Sequence, residues 1–248
     1  ATMLGLHATD LGRHGGQRVI PAGALAMHFR MQQSPFEMHG LAQRRALGAE
    51  PAEIGRMFDI AGKNLTAPSL DKVLTAPMTA VVWDSLDKSH WIADGRANAP
   101  RTVYVFTDPN CPYCNKLWAD ARPWVDAGKV QLRHVMVGIL TPSSAGKAAA
   151  LLGDKNPAAA LDAHERGHVA ENAKTLASGR PKPLGDDSLK PLAVVPAAIA
   201  GQLETNAALM ASFGLQATPA LVWKDAKGGV QMRQGAPESD LATIFGPR

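Results

Sequence analysis

Two cysteines three positions apart constrain this chain more than anything else in it. Cys111 and Cys114 are the only cysteines among 248 residues, and the Cys-x-x-Cys spacing lets them close a small disulfide. They end the stretch Thr107-Asp108-Pro109-Asn110-Cys111-Pro112-Tyr113-Cys114. The run before it, Thr102-Val103-Tyr104-Val105-Phe106, is β-branched and aromatic and reads as a strand, while Asn115 to Ala121 carries a helical pattern. A Cys-x-x-Cys pair between strand and helix is the setting of a redox dithiol. A helix N-terminus stabilises negative charge, so Cys111, at its mouth, is expected to have a lowered thiol pKa and to act as nucleophile. Cys114, one turn further in, is expected to be more shielded and to resolve a mixed disulfide by attacking the sulfur of Cys111. The competing reading is two inert buried thiols or half of a zinc site. A four-cysteine zinc site is excluded, because there is no second pair.

With 46% apolar and 19% charged residues, the chain has the composition of an ordinary soluble protein, long enough for one large or two modest domains. The net charge of +4 is mild, and no Lys/Arg-rich tract with interleaved aromatics argues for nucleic acid. No apolar run approaches the roughly 20 residues of a membrane span. Ala1-Thr2-Met3-Leu4-Gly5-Leu6 lacks the charged and apolar regions of a secretory signal, which reads as a signal already removed or a chain that begins after it.

Residues 1–62 stand apart. They hold no Trp or Tyr, and their β-branched residues are Thr2, Thr9, Val19, Ile20, Ile54 and Ile60, so strands are hard to place there. A helix over Ala46 to Ile60 fits better, with Ile54, Met57 and Phe58 on one face. His7, His14, His28 and His39 are too dispersed for a zinc site and read as solvated. Asn64-Leu65-Thr66 matches a glycosylation sequon, a weak pattern by itself. Residues 63–99 form a linker region, with Pro68 to Gly95 read as a connecting helix presenting Met78, Val81, Val82 and Leu86, and Trp83 and Trp91 expected to pack on a neighbouring domain.

From residue 100 the expected order is a strand, the Cys-x-x-Cys helix to about Ala127, and a buried strand over Val130 to Leu140. An Ala-rich insertion of short helices follows over about 142–204, broken at Pro157, Gly167, Pro181 and later prolines. A helix over Ala197 to Phe213, a strand after Thr218-Pro219, a Gly228-Gly229 turn, a second strand and a closing helix from Pro237 complete it. This is the order of an α/β thioredoxin fold with an inserted helical subdomain over residues 100–248. In such a fold the loop before the third strand carries a cis-proline facing the redox helix, which assigns that place to Pro219. The backbone of Thr218 is then free to pair with an extended substrate segment. Within the insertion, His164-Glu165-Arg166-Gly167-His168 matches His-Glu-x-x-His, the zinc-protease pattern. Gly167 weakens a helix by about 1 kcal/mol relative to Ala and no third ligand follows, so the stretch reads as a polar helix end and no metal is assigned.

Phe106 to Cys114, Ala121-Arg122-Pro123-Trp124-Val125-Asp126-Ala127-Gly128-Lys129-Val130-Gln131-Leu132-Arg133, Ser89-His90-Trp91 and Thr218-Pro219-Ala220 together resemble the DsbC/DsbG family of periplasmic disulfide isomerases. Cys-Pro-Tyr-Cys and the lack of further cysteines favour the DsbG branch. The resemblance covers about residues 62–248. It implies a periplasmic V-shaped homodimer with a cystatin-like N-terminal dimerisation domain, a linker helix and a thioredoxin domain. It implies no cofactor, a membrane reductase of DsbD type as electron donor, and protein substrates with misformed disulfides or oxidised cysteines. On this sequence it makes Cys111 the attacking and Cys114 the resolving residue, with Pro112, Tyr113, Thr218 and Pro219 shaping the substrate groove. The implied activities are isomerisation, reduction of sulfenylated cysteines and chaperone-like binding; net dithiol oxidation and a cysteine-independent holdase are the alternatives. Residues 1–62 depart from the strand-rich dimerisation domain and read as a divergent or out-of-frame version of it.

Overall fold

The computed structural model describes residues 76–248. Everything anticipated for residues 1–62, and the sequon at Asn64, lies outside the described residues. The elements are α1 (Ala76–Asp87), β1 (Trp91–Asp94), β2 (Arg101–Thr107), α2 (Pro112–Val125), β3 (Val130–Met136), α3 (Ser144–Leu152), α4 (Pro157–Ala177), α5 (Ala197–Ser212), β4 (Ala220–Lys224), β5 (Val230–Gln234) and α6 (Leu241–Phe245), the last preceded by a 3-10 turn at Glu238–Asp240. The five strands form one sheet in the order β1-β3-β2-β4-β5. β2 and β3 run parallel, with Val103 opposite Leu132 and Thr107 opposite Met136, and the other pairs are antiparallel.

Alternation along β2 divides the core, because successive side chains on a strand point to opposite faces. Val103 and Val105 pack with Leu117, Ala121 and Trp124 of α2 and with Leu241, Ile244 and Phe245 of α6. Tyr104 and Phe106 pack on the other face with Val82 and Leu86 of α1 and Met210 of α5. The apolar stripe of α2 recurs at helical spacing, and Trp124 is fixed by donating its indole N–H to Gly246 O at 2.8 Å. Gly128, at φ +70°, turns the chain from α2 back into β3.

Two expectations for the linker region change. The helix expected over 68–95 stops at Asp87, and Trp91–Asp94 pairs with β3 as the edge strand β1. A four-residue strand carries too little alternation to stand out from a helical pattern beside it. Trp83 and Trp91 also pack within the sheet domain: Trp83 lies edge-on to Tyr104 at 5.2 Å, and the Arg133 guanidinium sits 4.3 Å from the Trp91 ring.

The insertion is less broken than its composition suggests. α4 runs 21 residues through Gly167, so His164 to His168 lies within a helix and not at its end. A side chain at Gly167 would meet Ser188 Cβ at 3.3 Å, and the bare glycine lets that segment pass close by. Asn206 ties α5 to the sheet by accepting from His90 N at 3.1 Å and donating to His90 O at 2.7 Å and Met136 O at 2.9 Å. No helix among the described residues is long and apolar enough to cross a membrane.

Candidate active site

The parallel strand β2 ends at Thr107, and the next residues make a short loop into α2, at the carboxyl edge of the sheet where open α/β folds place their sites. Asp108 builds that loop. It is fully buried, with one carboxylate oxygen accepting from Asn110 N at 2.8 Å and Ser144 Oγ at 2.8 Å and the other from Ile139 N at 2.8 Å and Leu140 N at 2.9 Å. Its backbone carbonyl accepts from Cys111 N at 3.0 Å. Asn110 adds a second set of ties, its Nδ2 donating to Thr141 Oγ1 at 2.6 Å and Ser143 Oγ at 2.9 Å.

Cys111 is the N-cap of α2 and Pro112 occupies the first helical turn, where its missing N–H is not needed. Cys111 Sγ accepts from Cys114 N at 3.2 Å, and as a thiol it donates to Thr218 O at 3.4 Å. The Thr218-Pro219 peptide is cis, and Pro219 is buried opposite the cysteines. Gln234 holds the approach to this loop, its Oε1 accepting from Gln216 N at 2.7 Å and Ala217 N at 2.6 Å. Tyr113, between the two cysteines, is 52% exposed.

The two thiols, both free, differ in depth and in electrostatics. Each residue as a whole is 3% exposed, but burial weighs most heavily on the Cys114 sulfur, in line with the greater shielding expected for it. The Cys114 thiol beside Cys111 lowers it most; burial opposes, and the Thr218 side chain and the N–H groups of Cys114 and Tyr113 help bring Cys111 down to about 7. Cys114 is pushed well above its ordinary value, first by burial and then by the neighbouring Cys111. At neutral pH the pair can therefore hold one thiolate, on Cys111, and keep the other sulfur protonated.

The layer beneath the dithiol comes from α4, and its members were not singled out as site residues in the sequence. Asn115 Nδ2 donates to Glu165 Oε2 at 2.8 Å, and Asn172 Nδ2 donates both to Asn115 Oδ1 at 2.9 Å and to Pro112 O at 2.7 Å. His164 Nε2 donates to Pro109 O at 2.7 Å, which fixes its tautomer, so that Nδ1 accepts from Ser188 Oγ at 2.8 Å. Within the His-Glu-x-x-His stretch, His164 and Glu165 thus engage the active-site loop and helix, while His168 meets Ser188 Oγ at 2.7 Å. Among the described residues no group of three or more His, Cys, Asp or Glu is placed to hold a metal ion. Its one sequence signal is the run of polar residues at 164, 165 and 172, which share a helix face with Leu161.

A profile of the Thioredoxin-like domain matches residues 91–244, beginning at β1. The thiol:disulfide interchange protein DsbG of Pseudomonas aeruginosa is 44% identical over 234 residues, covering 94% of this chain and 85% of that protein. Coverage that wide reaches into residues 1–62, whose composition alone had set them apart. The Escherichia coli protein of the same name is 36% identical over 191 residues, covering 77% of this chain and 71% of its own. A periplasmic thioredoxin-like protein from Salmonella enterica serovar Typhimurium shares the fold, with a TM-score of 0.50 and 19% identity over 66% of this chain and 94% of that one. With a dithiol at the start of α2, a thioredoxin-like domain around it and relatives matched over most of their length, the chain belongs to the DsbG family of thiol:disulfide interchange proteins.

Proposed function

We propose that the protein is a periplasmic thiol-disulfide oxidoreductase that rearranges or reduces disulfides, and reduces sulfenylated cysteines, on other proteins. The observation that carries this is the opposite displacement of two adjacent thiols, Cys111 down to about 7 and Cys114 well above its ordinary value. Cys111 attacks as thiolate and forms a mixed disulfide with the substrate; Cys114 either resolves it or stands by while the substrate's own thiols rearrange. The Thr218 carbonyl beside Cys111 and the exposed Tyr113 offer a substrate strand a backbone partner and an apolar contact.

Ile139 and Leu140, 52% and 47% exposed on the loop that Asp108 pins beside the cysteines, extend this apolar surface. They favour a second, coexisting reading, a holdase for unfolded chains that works without the thiols. Net dithiol oxidation is the alternative that the same thiolate allows, since the more strongly the reduced form is stabilised, the stronger an oxidant the disulfide becomes. The family relationship supports a DsbD-type membrane reductase as electron donor and a homodimer formed through residues 1–62.

Refolding of a scrambled disulfide substrate, with light scattering of the same sample, tests the reading. Isomerisation by a dimer is expected; oxidation of dithiols without isomerisation would replace isomerase with oxidase. The attack rate should also follow the Cys111 thiolate, rising as pH increases through about 7 and levelling above it. A stopped-flow profile with its midpoint near the ordinary thiol value would contradict the assignment of Cys111.

A further inference from the structure

Glu165 is 1% exposed, inside α4, where lost hydration opposes its ionisation. Asn115 Nδ2 donates to its Oε2 at 2.8 Å and to its backbone carbonyl at 2.7 Å. Asn115 directly follows Cys114, and through Asn172 the same hydrogen-bonded chain grips the carbonyl of Pro112, two residues before Cys114. A Gln at 165 would accept from Asn115 as well as a carboxyl does. The hydrogen bonds alone therefore do not account for an acid at this place.

Glu165 faces few charges. From β1 comes Asp94, held by Arg122 of α2, and from α2 come Arg122 and the two thiols. Lys147 of α3 is engaged instead with Asp186 and the carbonyls of Leu184 and Gly185. Burial first, and then the charge of a Cys111 thiolate, push Glu165 up to about 8 against the hydrogen bond from Asn115.

We infer that Glu165 is a positioning residue that carries a redox-linked proton: it holds that proton while Cys111 is a thiolate and yields it more readily once the pair has closed to a disulfide. The inference rests on the exchange reaction proposed above. There the Cys111 thiolate attacks a substrate disulfide and expels one substrate thiolate. Cys114 then loses its proton and attacks Cys111 Sγ, breaking the bond from Cys111 to the substrate and forming the Cys111–Cys114 disulfide. The pair loses two electrons and the substrate gains them, and the Cys114 proton ends on the departing substrate thiolate. With the negative sulfur gone, its repulsion of Glu165 goes while burial still favours the protonated form, and by linkage an ionised Glu165 opposes a thiolate in the pair.

The test equilibrates the full chain with glutathione across the neutral and alkaline range. Each proton bound on reduction changes the exchange constant tenfold per pH unit. The wild type is expected to show a flattened segment between the ionisation of Glu165 in the disulfide form and that in the dithiol form, where the proton Glu165 takes up on reduction offsets the one the Cys111 thiolate releases. Glu165→Gln should lose this segment, and its Cys111 thiolate absorbance should titrate at lower pH. Infrared spectra of the wild type, which need no variant to fold, should show a carboxyl that titrates at higher pH in the dithiol than in the disulfide. Identical exchange constants for Glu165→Gln and wild type at every pH, or a carboxyl that ignores the redox state, would overturn the inference. Either result would leave exchange by the wild type intact, so failure here is distinguishable from failure of the proposed function.

Discussion

Cys111→Ala is expected to abolish thiol-disulfide exchange, and Cys114→Ala to preserve attack while trapping substrates as mixed disulfides. Cys111 sits at about 7 and Cys114 well above its ordinary value, so at neutral pH the thiolate is carried by Cys111 while Cys114 stays protonated. Cys114 cannot stand in, because burial first and then the neighbouring Cys111 keep its sulfur protonated. Without Cys114 no internal sulfur can displace the bound substrate, and the adduct persists until an external thiol arrives. Non-reducing electrophoresis of each variant after incubation with an oxidised substrate reads both outcomes. Full turnover by Cys111→Ala would reject the mechanism.

Asp108→Ala should be the most destabilising single change near the site. The buried carboxylate accepts four hydrogen bonds, two from backbone N–H groups of the 139–140 loop. Its removal leaves four donors without this partner, those of Asn110 and Ser144 in buried positions, and losses of this kind cost about 3–5 kcal/mol. Because the same residue shapes the loop before Cys111, the thiolate titration of Cys111 should weaken with stability. Chemical denaturation, followed by thiolate absorbance of the folded fraction, measures both. A stability loss below about 1 kcal/mol would show that solvent or local rearrangement satisfies those donors.

The residues most readable in sequence are those whose chemistry or periodicity is local. Cys111 and Cys114 announce a redox pair by spacing, and the β-branched run at β2 and the apolar runs at β3 and β4 announce buried strands. What stayed hidden depends on contacts between distant segments. Asp108 before a proline looks like any turn aspartate until Ile139, Leu140 and Ser144 are brought to it. α4 escaped because its buried stripe is polar: Leu161, His164, Glu165 and Asn172 do not repeat as hydrophobes, so a search for apolar periodicity passes over the helix face that touches the site. Gly167 added a false break, since helix propensity is a weak prior that tertiary packing overrides.

The amide bridge between Asn115 and α4 has a consequence for ancestry. Asn115 answers to Glu165 on one side and Asn172 on the other, although some fifty positions of chain separate them. Truncate any one of these side chains alone and a buried donor or acceptor loses its partner. These three positions should therefore be inherited as a set, and a graft that moves the Cys-x-x-Cys helix into another thioredoxin-like scaffold must bring α4 with it.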